Sequence, residues 1–103
     1  MSATAVQKVQ TIIDENAVAV FSKSYCPYCR ATKEALTKAG AKFCEIQLDQ
    51  VDDGADLQAA LQKINGQRTV PSIYIGQKHI GGNSDLQARK SELPTLLKTA
   101  GAV

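Results

Sequence analysis

The chain has 103 residues, 44% of them hydrophobic and 21% charged, which fits one small domain with a single core. A domain of this size has little volume for an enclosed substrate chamber, so a surface groove is expected. The formal net charge is only +2, with no long basic run, no tryptophan and few other aromatic residues, which argues against a nucleic-acid surface.

No stretch reaches the ~20 apolar residues that span a bilayer. The N-terminal segment, Met1 to Lys8, lacks the apolar centre of a secretory signal, and the C-terminus, Thr99 to Val103, matches no retention or prenylation signal. Three cysteines, two of them in a C-x-x-C, fit a reducing compartment, so a cytoplasmic location is expected.

In chain order, Val6, Val9, Ile12 and Ile13 line one helix face that Asp14-Glu15-Asn16 ends. Residues 17–22 are almost entirely apolar, as in a strand covered on both faces. Residues 30–39 read as a helix through Ala31, Ala35, Leu36 and Ala39, with Gly40 as its stop. In residues 41–49, Cys44, Ile46 and Leu48 alternate with Glu45 and Gln47, the pattern of a second strand. Asp52-Asp53-Gly54 is a turn and an acidic helix start. The helix that follows carries Leu57, Ala60, Leu61 and Ile64 and stops at Asn65-Gly66. Residues 72–75 and 78–80, joined by Gly76-Gln77, predict a tight hairpin. Two short helices follow, from about Ser84 and about Ser91, the last with Leu93, Leu96 and Leu97 towards the core. Two strands joined through a helix are expected to be parallel with a right-handed crossover. With the hairpin added, the expectation is an α/β domain over residues 1–103: a mixed four-stranded sheet with helices on both faces.

The chemistry lies in Cys26-Pro27-Tyr28-Cys29, set where the apolar run turns into a helix. That junction places Cys26 at the positive end of a helix dipole, where a thiolate is most easily formed. Pro27 suits a first turn, which needs no donor from that residue. Lys23 and Arg30 add positive charge nearby, and Cys29, one turn further in, is more shielded. Cys26 is therefore expected to attack and Cys29 to resolve. Half of a zinc site is the first alternative, but it lacks a second close ligand pair, since only Cys44 and His79 remain. A pair of inert core cysteines is the second, and the strand-to-helix setting argues against it. Cys44, on a face with Ile46 and Leu48, is expected to be a buried structural thiol. His79 is read as an ordinary strand residue, and Lys33, Lys38 and Lys42 as a solvated face.

Three blocks, Lys23 to Cys29, Gly66 to Pro71 and Gly81 to Leu86, resemble a glutaredoxin of the dithiol type over essentially the whole chain. The resemblance implies a thioredoxin-like fold, a cis bond before Pro71 and a glutathione site. It places the cysteine part of glutathione along the backbone of Val70, between Thr69 and Pro71, like a short added strand. It assigns Lys23, Gln58 and Arg68 to the glycine carboxylate and Tyr28 to the side of the sulfur. Gly82, Asn83, Ser84 and Asp85 would receive the γ-glutamyl end, with backbone N–H groups for its carboxylate and Asp85 for its ammonium.

Many relatives carry cysteine where Asn83 stands, so a redox role for that extra thiol is absent here. Pro27 occupies the position that is small in relatives bridging a [2Fe–2S] cluster, which argues against cluster binding. The expected activity is glutathione-dependent reduction of protein–glutathione mixed disulfides through Cys26 and of protein disulfides through both thiols. Glutathione is co-substrate, no cofactor is tightly bound, no metal is expected, and the protein is expected to act as a monomer on glutathionylated and disulfide-containing proteins. The alternatives are a thioredoxin-type reductase, against which the missing tryptophan counts, and an iron–sulfur carrier.

Overall fold

The computed structural model describes residues 3–103; Met1 and Ser2, the start of the segment read for a targeting signal, lie outside the described residues. The elements follow the order α1 (Ala3–Glu15), β1 (Val18–Ser22), α2 (Pro27–Lys38), β2 (Cys44–Gln47), α3 (Gly54–Asn65), β3 (Ser72–Ile75), β4 (Lys78–Gly81), α4 (Asn83–Ala88) and α5 (Leu93–Ala100). A 3₁₀ turn over Lys90–Glu92 leads into α5. The four strands form one sheet in the order β2-β1-β3-β4, with β1 and β2 parallel and the other two pairings antiparallel.

β1 is central and every residue in it is buried, which is why its sequence shows no polar alternation. Its side chains nevertheless sort by face. Ala19 and Phe21 join the layer formed with α1 and α3, while Val18 and Val20 join the layer formed with α2, α4 and α5. The helical residues expected to point inward do so: Val9 and Ile13, then Leu57, Ala60 and Leu61, then Leu93 and Leu97 are buried.

The helix read from the apolar pattern at residues 30–39 extends back to Pro27, in the first turn where that residue was expected, with Cys26 as its cap. Two expectations are corrected. The second strand is shorter than residues 41–49, since Lys42 bonds instead to Ala102 O at 3.0 Å and Asp49 turns towards Ser24. Cys44 is half-buried, not buried. Ile46 on the same face does pack on the α1–α3 layer. Cys44, however, opens an edge strand and borders a recess past Glu15, the last residue of α1. The Gly76-Gln77 hairpin turn has positive φ at both positions, +59° and +65°, as the type I′ turn of a two-residue hairpin requires. Gln77 pays for no packing there; its amide instead reaches Asn16 O at 3.2 Å and ties the turn to the end of α1.

At the other end of the sheet, Gly54 permits a close approach. A Cβ on Gly54 would lie 1.7 Å from Leu48 O, a backbone atom that cannot move aside alone. Gly54→Ala is therefore expected to destabilise the domain by about 3 kcal/mol, at the upper end of ordinary overpacking. Urea unfolding measures this, and a midpoint equal to that of the unaltered protein would contradict it.

Candidate active site

Cys26 is the N-cap of α2, with extended backbone at φ −91° and ψ 115°. The backbone N–H of Cys29 donates to its Sγ at 3.2 Å, one of the free donors of the first helical turn. Behind it, the Cys26 N–H donates to Lys23 O at 3.2 Å and closes the approach turn. That turn is anchored by Asp49, whose carboxylate accepts the Ser24 N–H at 2.9 Å and also the Ser24 hydroxyl. These bonds hold the Asp49 carboxyl at about 2, below the usual range.

Cys29 lies on the inner face of α2 with Thr32 and Leu36, three and seven positions on, and is only 1% exposed. Burial, reinforced by its contact with Cys26, pushes the Cys29 thiol from the ordinary 9.0 up to about 12. A backbone hydrogen bond at Lys23 and, less strongly, the Lys33 charge act in the opposite direction without overcoming burial. Both thiols are unpaired. One sulfur is presented at a helix start, and the other is kept protonated beneath it.

Cys26 Sγ lies 3.9 Å from Val70 O, and Val70 opens onto a groove of ≈ 550 Å³. The bond between Val70 and Pro71 is cis, as the family resemblance implied. Tyr28 stands at the thiol end of the groove, 67% exposed; Thr69, Val70 and Pro71 form its middle. Gly82, Asn83, Ser84 and Asp85 close the far end. There Asp85 Oδ2 accepts the Gly82 N–H at 2.8 Å. Gly81, at φ +118°, permits this closure, since a Cβ on it would lie 2.3 Å from the same oxygen.

Eight of the residues singled out from the sequence thus share one groove, with Cys26 at its edge. The other three are placed differently. Gln58 and Arg68 meet outside the groove, where Gln58 Nε2 donates to Arg68 O at 3.1 Å. Lys23 lies in the turn before Cys26. Neither the Lys23 ammonium nor the Arg68 guanidinium has a carboxylate partner among the described residues. The Asn83 side chain is turned to structural use: its Oδ1 accepts from the buried Thr32 hydroxyl at 3.0 Å and from Gln87 Nε2 at 3.2 Å. Gln67 and His79 also line the groove, and sequence reasoning missed both. No local pattern marks them, because their contact crosses from a loop to β4. Cys44 and His79 occupy the two opposite edge strands, so they cannot complete a zinc site with the C-x-x-C.

The raised Cys29 value carries a signed pH dependence. The unfolded chain ionises this thiol at lower pH than the folded chain, so its contribution to stability is full below pH 9.0 and falls as pH rises towards about 12. Wild type is expected to lose more stability than Cys29→Ser across that interval, measured by urea unfolding at successive pH values. Parallel losses in the two proteins would contradict a buried, protonated Cys29.

The glutaredoxin family model matches residues 18–80, from the first residue of β1 through the C-x-x-C and the cis-proline loop into β4. A glutaredoxin of Ricinus communis is 48% identical over 101 residues, covering 96% of this chain and 99% of its own length. Glutaredoxin-1 of Saccharomyces cerevisiae is 48% identical, covering 95% of this chain and 94% of its own. Among solved structures, wheat glutaredoxin superimposes with a TM-score of 0.95 at 44% identity, covering 99% and 100% of the two chains. A buckwheat glutaredoxin–glutathione complex gives 0.93 at 41% identity, covering 97% and 93%. A capped thiol above a buried one, on a thioredoxin-like sheet that matches these proteins end to end, makes this chain a member of the glutaredoxin family, the glutathione-dependent thiol–disulfide oxidoreductases.

Proposed function

We propose that Cys26 is the nucleophile, Cys29 the resolving thiol, and the groove the seat of glutathione. The observation that carries this reading is the placement of Cys26 Sγ on a helix N-cap and 3.9 Å from the Val70 carbonyl at the groove's edge. A tripeptide running along Val70 would pair with its backbone and bring its own sulfur to Cys26. The similarity to a glutaredoxin solved with glutathione supports the same ligand here.

The remaining groups divide the two ends of the tripeptide between them. Lys23 and Arg68, both without a carboxylate partner among the described residues, attract the glycine carboxylate, with Gln58 beside Arg68. At the far end, the N–H groups of Asn83 and Ser84 lie in the first turn of α4, where no intrahelical acceptor reaches them. They receive the γ-glutamyl carboxylate, and the second oxygen of Asp85 receives the ammonium. Tyr28 covers the sulfur, and Thr69, Pro71 and Gly82 shape the wall.

In the first step the Cys26 thiolate attacks the glutathione sulfur of a protein–glutathione mixed disulfide. The protein thiolate leaves with the bonding electrons and takes a proton from water. A glutathione thiolate then attacks the glutathione sulfur held on Cys26, releasing oxidised glutathione and restoring the Cys26 thiolate. With a protein disulfide, the Cys26 thiolate attacks one substrate sulfur and the other leaves as a thiolate. Cys29 passes its proton to that thiolate and attacks Cys26, expelling the remaining substrate sulfur, which takes a proton from water; two glutathione molecules then reduce the Cys26–Cys29 bond and leave as oxidised glutathione. The consumption of reduced glutathione suits a cytoplasmic setting, with glutathionylated and disulfide-containing proteins as partners.

Cys29→Ser is expected to keep deglutathionylation of a glutathionylated peptide and to lose protein-disulfide reduction, while Cys26→Ser loses both. Equal loss of both reactions in Cys29→Ser would overturn the division of roles. Neutralising Lys23 or Arg68 with Gln is expected to raise the KM for glutathione roughly fivefold, the effect of losing about 1 kcal/mol at an exposed ion pair. The effect should shrink in high salt. Unaltered KM values at low salt would remove these cations from the site.

A further inference from the structure

The groove's central segment, from Thr69 to Pro71, belongs to no helix or strand, yet it sets where Val70 meets Cys26. One side chain holds it. Gln67 Nε2 donates to Pro71 O at 2.8 Å and to Thr69 O at 3.0 Å, so its amide grips the carbonyls on either side of Val70. With the nitrogen committed to two carbonyls, Gln67 Oε1 is the acceptor for His79 Nε2 at 2.8 Å, and the imidazole must donate.

His79 is in turn fixed by its strand. It stands opposite Tyr74 across the β3–β4 pairing, and the two rings pack with centroids 5.1 Å apart. The Tyr74 hydroxyl accepts from Asn65 Nδ2 at 2.7 Å, and Asn65 Oδ1 accepts the backbone N–H of Gln67 at 2.7 Å. These bonds close a circuit from the end of α3, through β3 and β4, back to the loop. Gln67 is the only residue of that circuit whose side chain also reaches the Val70 neighbours.

We propose that Gln67 is a positioning residue of the thiol-exchange reaction, holding the Val70 backbone at Cys26, and that His79 acts through it by fixing its amide. This deepens the reading of the groove as the glutathione site and rests on it. Neither residue touches a reacting sulfur. Their effect falls on how well the tripeptide pairs with Val70, not on the reactivity of Cys26, which is set by the start of α2.

The test compares Gln67→Ala, His79→Ala and His79→Gln with wild type. The last variant is the conservative one, since a glutamine amide can supply the donor that Nε2 supplies. Three readouts are taken: KM for a glutathionylated peptide, kcat, and the rate of Cys26 alkylation by iodoacetamide. Gln67→Ala and His79→Ala are expected to raise KM about fivefold, the effect of one net hydrogen bond. The alkylation rate should stay within about twofold, and His79→Gln should return KM towards wild type. In the nitrogen spectrum of the imidazole, wild type should show the Nε2–H tautomer, and Gln67→Ala should lose that preference. A KM unaffected in all variants, a joint fall of kcat and alkylation rate, or His79→Gln behaving as His79→Ala would each overturn the proposal. If wild type formed no Cys26–glutathione adduct in the mass spectrum, the groove reading itself would fall. An adduct in wild type with unaffected KM in the variants would remove only the role given to Gln67 and His79.

Discussion

The hydrogen bond from the Cys29 N–H to Cys26 Sγ is the interaction on which the rest of the site depends. It exists because a strand buried on both faces ends at Ser22 and a helix begins at Pro27, leaving only four residues to make the turn. The sulfur therefore occupies the place where a helix ordinarily takes a serine or aspartate oxygen. The first-turn donors that a cap oxygen would satisfy point at this sulfur instead. The turn could not move without loosening either the strand or the helix, and Asp49 fastens it from the side.

The two thiols differ because a helix has a face. Cys26 stands outside the first turn, whereas Cys29 shares its face with Thr32 and Leu36 and is drawn into the layer beneath α2. Three positions of sequence thus separate an accessible sulfur from one that burial keeps protonated. The separation suits a two-step exchange. The half-buried Cys26 sulfur can be reached from the groove, whereas the buried Cys29 sulfur can be reached only by a group already bonded to its neighbour. Pro27 serves the arrangement by starting the helix with a residue that has no donor to satisfy.

Around these sulfurs, neutral amides do the holding. Gln67 grips the carbonyls beside Val70, Gln58 grips Arg68 O, Asn65 grips Tyr74 and Gln67, and Asn83 joins α2 to α4. Fastening irregular backbone with amides leaves the local charges uncommitted. Lys23 and Arg68 have no carboxylate partner among the described residues, and Asp85 uses only one oxygen on its own turn. Cations held outside the groove, with a carboxylate in its lining, suit a zwitterionic peptide with carboxylates at both ends and one ammonium. On the function proposed above, recognition rests on a few charged contacts and on backbone pairing, which a small domain can provide without an enclosed cavity.

What the sequence determined by itself is whatever depends on near neighbours. Apolar patterning marked the longer helices and the first two strands, Gly66 and the Gly76-Gln77 pair marked ends, and the C-x-x-C at a strand-to-helix junction marked the chemistry. The motif blocks at Thr69 to Pro71 and Gly82 to Asp85 marked most of the groove. Only the tertiary structure decided the matters that hang on cover and on contacts across the fold. Cys44 has the strand pattern of a buried residue, but it opens an edge strand past the end of α1, and periodicity says nothing about where cover stops. Gln67 and His79 lie twelve residues apart and meet only because β4 folds back beside the loop. An amide in a loop and a histidine in a strand carry no signal of each other until the sheet has brought them together.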